Sequence, residues 1–195
     1  MVYKVFGYIH ILHFRKTPIY ISIILSGDKV EIDYKIEANI FIHERDMLDF
    51  KLPSGFRLGT LQPEHVKYVK TTFGNLIGES DEFIAAQFTH LPTSAVYKIT
   101  EGEQDEISEL PVAFSTVREN GSIGRVFTLP EYRGLGMAKV VIQYLVKKLT
   151  KNGSLPYLGA STENIVAIRT YQKLGFAEKY KFAIADFKPS NKNSL

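Results

Sequence analysis

The clearest periodic pattern in the chain lies between residues 138 and 151. Apolar residues recur there at spacings of three and four, which predicts an amphipathic helix with one stripe packed on a sheet. The stripe consists of Ala138, Val141, Ile142, Leu145 and Leu149. The other faces carry Lys139, Gln143, Lys147 and Lys151. Gly153 follows, and we expect it to end the helix.

Shorter patterns precede this helix. Residues 56–61 predict a strand, and Pro63 suits the first turn of a helix over 64–73. A second helix is predicted over 81–88, followed by a strand over 94–100 and an exposed acidic loop over 101–109. Asn120-Gly121 is typical of tight hairpins and predicts that strands 111–118 and 123–129 are joined by one.

After the long helix, residues 155–160 predict a strand. A last helix is predicted over 163–174, with Ser161 or Thr162 as its cap and Gly175 at its end. Residues 182–187 predict the final strand. From residue 56 onward the order is β-α-α-β-β-β-α-β-α-β. It predicts an α+β fold: a mixed, mostly antiparallel central sheet with helices on both faces.

The N-terminal part is rich in β-forming residues. Residues 19–25 predict a buried strand, 26–29 a turn, and 30–42 a second strand that completes a hairpin. Pro53 and Gly55 mark a boundary, because these residue types interrupt regular structure. We therefore predict three parts, which are an N-terminal β-rich segment at 1–51, a domain at 56–187 and a flexible tail at 188–195.

Composition narrows the classes of function. The 195 residues are 45% hydrophobic and 23% charged, as in ordinary globular proteins. The formal charge of +3 comes without a clustered basic face, which argues against nucleic acid as a partner. No cysteine is present, so thiolate catalysis and disulfides are excluded, and five scattered histidines give no support to a metal site. No stretch reaches the length of a membrane helix, so we expect a soluble protein without a membrane partner.

The candidate chemistry lies in T-L-P-E-Y-R-G-L-G-M-A, Thr128 to Ala138, between a predicted strand and the long helix. Gly134 and Gly136 allow the backbone to approach a ligand closely. The helix that follows directs its unpaired N–H groups and its partial positive charge toward this turn. The segment therefore predicts a cradle for a pyrophosphate.

Three kinds of cradle compete with an ordinary glycine-capped helix. A P-loop needs Lys and then Ser or Thr after the last glycine, but Met137 and Ala138 stand there. A dinucleotide fingerprint fails on its glycine spacing, and the flanking strands look antiparallel. The third is an acyl-coenzyme A loop. Arg133, Gly136 and Ala138 resemble the GNAT pattern for such a loop, which is Arg or Gln, two residues of any type, Gly, one residue of any type, and Gly or Ala.

A second motif follows at residues 161–176, S-T-E-N-I-V-A-I-R-T-Y-Q-K-L-G-F. Asn164, Ile168 and Tyr171 are separated by four and three residues, so they share one face of the predicted helix. An amide and a phenol would then point in the same direction. A half-buried core tyrosine is the commoner role for an isolated Tyr, and it stays open for Tyr171.

Taken together, the two motifs resemble those of the GNAT acyltransferase superfamily. The block Phe127 to Arg133, F-T-L-P-E-Y-R, is more closely similar to the glycine N-acyltransferase-like branch, and the resemblance covers about 56–187. It implies an acyl-CoA or acetyl-CoA co-substrate without a metal. It also implies that residues 1–51 are a remnant of a degenerate N-terminal half, because family members usually carry one.

The resemblance implies site residues as well. Tyr171 would be the catalytic proton donor or hydrogen-bond donor to the departing thiolate. An amine would attack the thioester directly, while N–H groups of strand 125–129 polarise its carbonyl. The positions implied to bind the co-substrate are Phe127, Thr128, Leu129, Arg133, Gly134, Leu135, Gly136, Met137, Ala138 and Asn164.

One position departs from the branch. Glycine-conjugating relatives tend to have Glu just before this strand as a candidate base, and Ser122 stands there, with Glu119 nearby. The expected function is N-acylation of a small amine or amino acid, glycine among them. The alternatives are N-acetylation of a protein or peptide and a CoA-binding domain with weak or no catalysis. We expect an intracellular protein, in the cytoplasm or, as the resemblance also allows, in mitochondria.

Overall fold

The computed structural model describes residues 30–45, 51–74, 79–99 and 110–189, without the side chains of 30–36 and 182–189. The predictions that lie outside these ranges are the strand at 19–25, the turn at 26–29, the loop at 101–109 and the tail beyond 189. The hairpin predicted at the N-terminus is therefore described only in its second strand.

A seven-stranded sheet forms the centre of the structure. Its strands in chain order are β1 (Val30–His43), β2 (Phe56–Gly59), β3 (Thr93–Lys98), β4 (Ala113–Val117), β5 (Ile123–Thr128), β6 (Tyr157–Ser161) and β7 (Phe176–Pro189). Their order across the sheet is β2-β3-β4-β5-β6-β1-β7. All neighbours are antiparallel except β5 and β6, which are parallel. The predicted mostly antiparallel α+β fold is confirmed.

Within the described residues, four helices pack on this sheet, namely α1 (Val66–Phe73), α2 (Asp81–His90), α3 (Met137–Lys151) and α4 (Ile165–Lys173). Pro63 begins a short 3-10 turn that leads into α1. Successive residues of β3 show that both faces are covered. Ala95 and Tyr97 pack with residues of α1 and α2, whereas Val96 packs with residues of α3. This alternation is the period of two that a strand covered on both faces requires.

Helix α3 is buried over a wider face than its apolar stripe suggests. Val140 and Val146 are buried, and so is Gln143, which the sequence pattern places on another face. The reason is the packing of α3 across β3, β4 and β5 at once. The prediction that Gln143 lies away from the sheet is therefore wrong, while the helix and the glycine stop at Gly153, with φ of 75°, are confirmed.

Strand β1 lies inside the sheet, between β6 and β7. Its residue Ile40 is opposite Gly159 on one side and Tyr180 on the other. Phe41 is fully buried and joins the apolar core around α3, β6 and α4. Part of the predicted N-terminal segment thus supplies a strand to the sheet, and the division of the chain at residue 51 stays a prediction.

Candidate active site

A cleft opens beside β5, past the point at which β5 pairs with β6. The two strands lie side by side, but they share a single ladder pair, Ile123 with Leu158. Beyond it opens a cleft of about 520 Å³. The expectation that the strands around the glycine turn are antiparallel is wrong. Helix α3 crosses over between β5 and β6, and such a crossover brings the chain back in the same direction.

Two adjacent elements supply most of the cleft wall besides β5. They are the glycine turn with the start of α3 and the first turns of α4. The residues that line the cleft are Val126, Phe127, Thr128, Tyr132, Arg133, Gly134, Gly136, Met137, Ala138, Lys139, Asn164, Val166, Ala167, Thr170 and Tyr171. The structure thus brings together two sequence motifs that lie about thirty residues apart in the chain.

The glycine turn has the backbone that the sequence predicts. Gly134 and Gly136 have φ of 82° and 81°, a region that side chains with a Cβ rarely adopt. Gly136 is the N-cap of α3, and a Cβ added there would meet no heavy atom within 4 Å. The first turn of α3 contains no acidic side chain, so the positive end of the helix faces the cleft uncompensated by a carboxylate of its own.

Nine of the predicted cofactor-binding and catalytic residues line the cleft, and two do not. Leu135 is 49% exposed and is not among the residues that line the cleft. Leu129 packs against the core beside α3, and its N–H donates to the carbonyl of Val112. That N–H therefore points toward the β4 side of the sheet and is already used in a hydrogen bond. In contrast, Thr128 Oγ1 is buried without a hydrogen-bond partner in the described part of the chain.

Asn164 caps helix α4, a role that the sequence pattern predicted for Ser161 or Thr162. It is the N-cap of α4, and its Oδ1 accepts a hydrogen bond of 3.1 Å from the N–H of Ala167. The prediction of Ser161 or Thr162 as the cap is wrong, because the helix begins later, at Ile165. Since the cap uses only the amide oxygen, the amide N–H groups of Asn164 are left for other partners.

Tyr171 is both a core residue and a cleft residue. Its ring packs edge-on against Phe41, with centroids 5.9 Å apart, and lies 6.2 Å from the ring of Phe176. Burial raises the pKa of Tyr171 to about 12, since the ionised phenolate would lose its hydration. Among the described residues no hydrogen-bond partner contacts its hydroxyl, which is therefore a neutral donor at the cleft.

A buried ion pair, which the sequence does not predict, joins β5 to the segment before α2. The side chain of Arg125 in β5 is 2% exposed, and its Nη2 lies 2.5 Å from Glu79 Oε2. Burial lowers the pKa of Arg125, and the nearby Glu79 carboxylate opposes that shift. An arginine in an otherwise apolar strand is the local signal for such a site, but its partner is 46 residues away and no local pattern predicts it.

The two candidate bases lie outside the cleft. Ser122 Oγ donates to Asn120 Oδ1 at 2.7 Å within the hairpin. Glu119 accepts a hydrogen bond of 2.7 Å from Gln87 Nε2 and lies 3.8 Å from Arg118. Neither Ser122 nor Glu119 is among the residues that line the cleft, so the structure offers no side-chain base from this hairpin.

Comparison with known proteins agrees with this architecture. Residues 104–183 match the family described as FR47-like protein. No curated protein matches the chain. Within the described ranges, no helix is both long and apolar enough to cross a membrane.

Several solved structures share the fold at low sequence identity. A Drosophila protein has a TM-score of 0.71 and 12% identity, covering 84% of this chain and 53% of its own. A GNAT-family protein from Novosphingobium aromaticivorans has a TM-score of 0.59 and 20% identity, and the match covers 83% of this chain and 68% of that protein. A GNAT-family acetyltransferase from Colwellia psychrerythraea has a TM-score of 0.55 and 16% identity, and the match covers 82% of this chain and 57% of that protein. The chain therefore has the GNAT fold, and it spans little more than half of the Drosophila and Colwellia proteins.

Proposed function

We propose that this protein is an acyl-CoA-dependent N-acyltransferase. The observation that carries the proposal is the cleft beside β5, which has a glycine turn at the start of α3 and a protonated phenol, Tyr171, in its wall. A phosphate-bearing thioester substrate fits this combination, because the helix start attracts phosphate and the strand edge offers main-chain hydrogen bonds.

The residues present fit such a substrate. Backbone N–H groups at Gly134 and Gly136 and the first turn of α3 would bind the pyrophosphate, with Arg133 next to them. Thr128 Oγ1, buried and unpartnered, would hydrogen-bond an amide of the pantetheine arm along β5. The two N–H groups of the Asn164 amide would serve the same arm from α4.

The reaction requires little from acidic or basic side chains. An amine attacks the thioester carbonyl, a C–N bond forms, and the C–S bond breaks with thiolate as the leaving group. N–H groups of β5 that face the cleft would stabilise the charge on the carbonyl oxygen. The Tyr171 hydroxyl, which stays protonated because burial raises its pKa to about 12, would donate a hydrogen bond to the departing sulfur. The nitrogen loses one proton to water as the amide forms, and the thiolate takes up a proton from the phenol, which water reprotonates, or from water directly.

The acceptor is proposed to be a small amine or amino acid, in line with the resemblance to the glycine N-acyltransferase-like branch. The positions of Ser122 and Glu119 favour a substrate that arrives as the free amine, or a water that removes its proton. The same positions favour, as second candidate, a CoA-binding domain with weak or no catalysis.

Calorimetry with CoA, followed by a screen of acetyl-CoA and longer acyl-CoAs against amino acids and small amines, tests the proposal. We expect CoA to bind and free thiol to appear only when an acceptor amine is added. Binding without any thiol release would favour the non-catalytic domain. No binding of CoA would refute both candidates.

Asn164 permits a test that separates its two roles. Asp is as good an N-cap as Asn, so Asn164→Asp should keep the thermal stability of the protein. It replaces an N–H donor with a carboxylate beside an anionic substrate, so we expect CoA affinity to fall about tenfold, or ~1.4 kcal/mol.

The matched variant Asn164→Ala removes both the cap and the amide. It should lose about 1 kcal/mol of unfolding free energy in addition to CoA affinity. Thermal melts and calorimetry on the same preparations give the two readouts. Unchanged CoA affinity in Asn164→Asp would show that Asn164 acts only as a cap.

A further inference from the structure

Strand β5 departs from regular geometry just before it enters the cleft. Arg125 has φ of 49°, and it is the one non-glycine residue with positive φ among those that the structure describes. The register shows why, because Phe114 is opposite Phe127 whereas Thr116 is opposite Gly124. A single residue of β4 thus faces two of β5, which is a β-bulge. Such a strained backbone persists only where the surroundings hold it.

Three contacts hold this bulge, two from β4 and one from the segment before α2. Ser115 Oγ donates a hydrogen bond of 3.0 Å to the carbonyl of Gly124. Arg125 Nη1 lies 3.3 Å from Thr116 Oγ1, within the same pair of strands. Arg125 Nη2 lies 2.5 Å from Glu79 Oε2, which belongs to the segment just before α2. Of these contacts, only the ion pair connects the bulge to a part of the chain outside the two strands.

Glu79 is itself held in place. Its carbonyl accepts a hydrogen bond of 2.9 Å from Lys70 Nζ, and that same Nζ lies 2.7 Å from Asp81 Oδ1. Its second carboxylate oxygen lies 3.9 Å from Arg118 Nη2, in the hairpin after β4. The Glu79 side chain is 22% exposed, whereas the guanidinium of Arg125 is withdrawn from water. A buried guanidinium depends on its carboxylate, because an unpaired charge there is strongly unfavourable.

The bulge sets the direction of the strand edge that follows it. Val126, Phe127 and Thr128 come directly after Arg125, and all three line the cleft. We propose that Arg125 is a positioning residue, whose buried ion pair with Glu79 holds the bulge so that β5 presents its N–H groups to the acyl carbonyl at the correct distance. This rests on the proposed function, although its structural part can be tested without any substrate. Arg125 does not touch the substrate and acts through the backbone of β5.

The test compares three variants by hydrogen exchange and by steady-state kinetics. Glu79→Gln keeps the shape and one hydrogen bond but removes the charge, and Glu79→Asp keeps the charge on a shorter arm. Lys179→Met is the matched control, because it removes a more exposed ion pair, to Glu44, that makes no contact with Glu79 or Arg125. Exchange is followed on the peptide that covers β5, and kcat and KM for the acyl-CoA are measured separately.

We expect Glu79→Gln to speed amide exchange in β5 about tenfold and to lower kcat about tenfold. Its KM and its Kd for CoA should stay within about threefold, because the glycine turn is unaffected. Glu79→Asp should recover part of both losses, and Lys179→Met should match the wild type. If wild-type protein transfers no acyl group, the exchange data alone decide about the clamp, and faster exchange in Glu79→Gln still supports it.

Two outcomes would overturn the proposal. One is exchange in β5 that is equal in Glu79→Gln and wild type. The other is a lower thermal midpoint in Glu79→Gln with kcat per folded molecule unchanged, since a purely structural ion pair gives that pattern. Arg125→Met serves as a second route if Glu79→Gln has an intermediate effect, and it should exceed Glu79→Gln in both readouts.

Discussion

Replacing Gly136 with valine is expected to weaken CoA binding by roughly 10²-fold. The added side chain would project from the turn that is proposed to hold the pyrophosphate and keep the backbone N–H groups from the phosphate oxygens. Loss of two charge-assisted hydrogen bonds at about 1.5 kcal/mol each accounts for ~3 kcal/mol, which is this factor in Kd. Calorimetry with CoA measures it directly.

The chain offers a control of the same geometry. Gly153 has φ of 75°, and, as at Gly136, an added Cβ would meet no heavy atom within 4 Å. It follows the other end of the 15-residue helix α3, about 20 Å from the turn. Both valine variants should lose similar stability from left-handed strain, on the order of 1–2 kcal/mol. Only Gly136→Val should lose CoA affinity, and equal affinity in the two variants would refute the phosphate cradle.

Local features explain the part of the site that the sequence predicts. The periodicity of α3 and the two glycines before it are short-range signals, and the structure shows both where expected. Asn164 caps α4 and Tyr171 lies within it, and both line the cleft. The elements β5, α3, β6 and α4 follow one another in the chain, and this order brings the two motifs to the same cleft.

Long-range pairing explains what the sequence does not predict. Nothing in the pattern of residues 30–43 indicates that this strand lies between β6 and β7, because each face of a strand looks the same whichever neighbour it pairs with. The helix α3 between β5 and β6 could have predicted that these strands are parallel, because a crossover helix returns the chain in the same direction. The neighbouring hairpin pattern instead suggested antiparallel strands. The contact of Arg125 with Glu79 depends on the finished fold.

Strand β1 connects these long-range pairings to the chemistry. Phe41 of β1 is buried against the ring of Tyr171, and Phe176 of β7 packs on the same ring. The orientation of the phenol is thus fixed by strands from both ends of the chain. A ring held this firmly keeps its position when the hydroxyl alone is removed, which makes a conservative substitution informative.

Tyr171→Phe is expected to lower turnover by roughly 10²-fold with little change in CoA affinity. A thiolate leaving group has a reference pKa near ~8.5, so it needs modest protonation help, and the low end of general-acid contributions applies. The hydroxyl has no hydrogen-bond partner among the described residues, so its loss leaves no buried group unpaired. The thermal midpoint should therefore be unchanged or slightly raised.

The pH dependence adds a second check on Tyr171. Since burial raises its pKa to about 12, the phenol keeps its proton across the neutral range. Activity that depends on this proton is lost only as the pH rises through about 12, so no limb from Tyr171 should appear between pH 6 and 9. Turnover, pH profile and thermal midpoint are measured on the same preparations of wild type and Tyr171→Phe. Full turnover in Tyr171→Phe would show that Tyr171 is only a core residue. A loss of activity below pH 9 that is seen in the wild type but not in Tyr171→Phe would contradict the raised pKa.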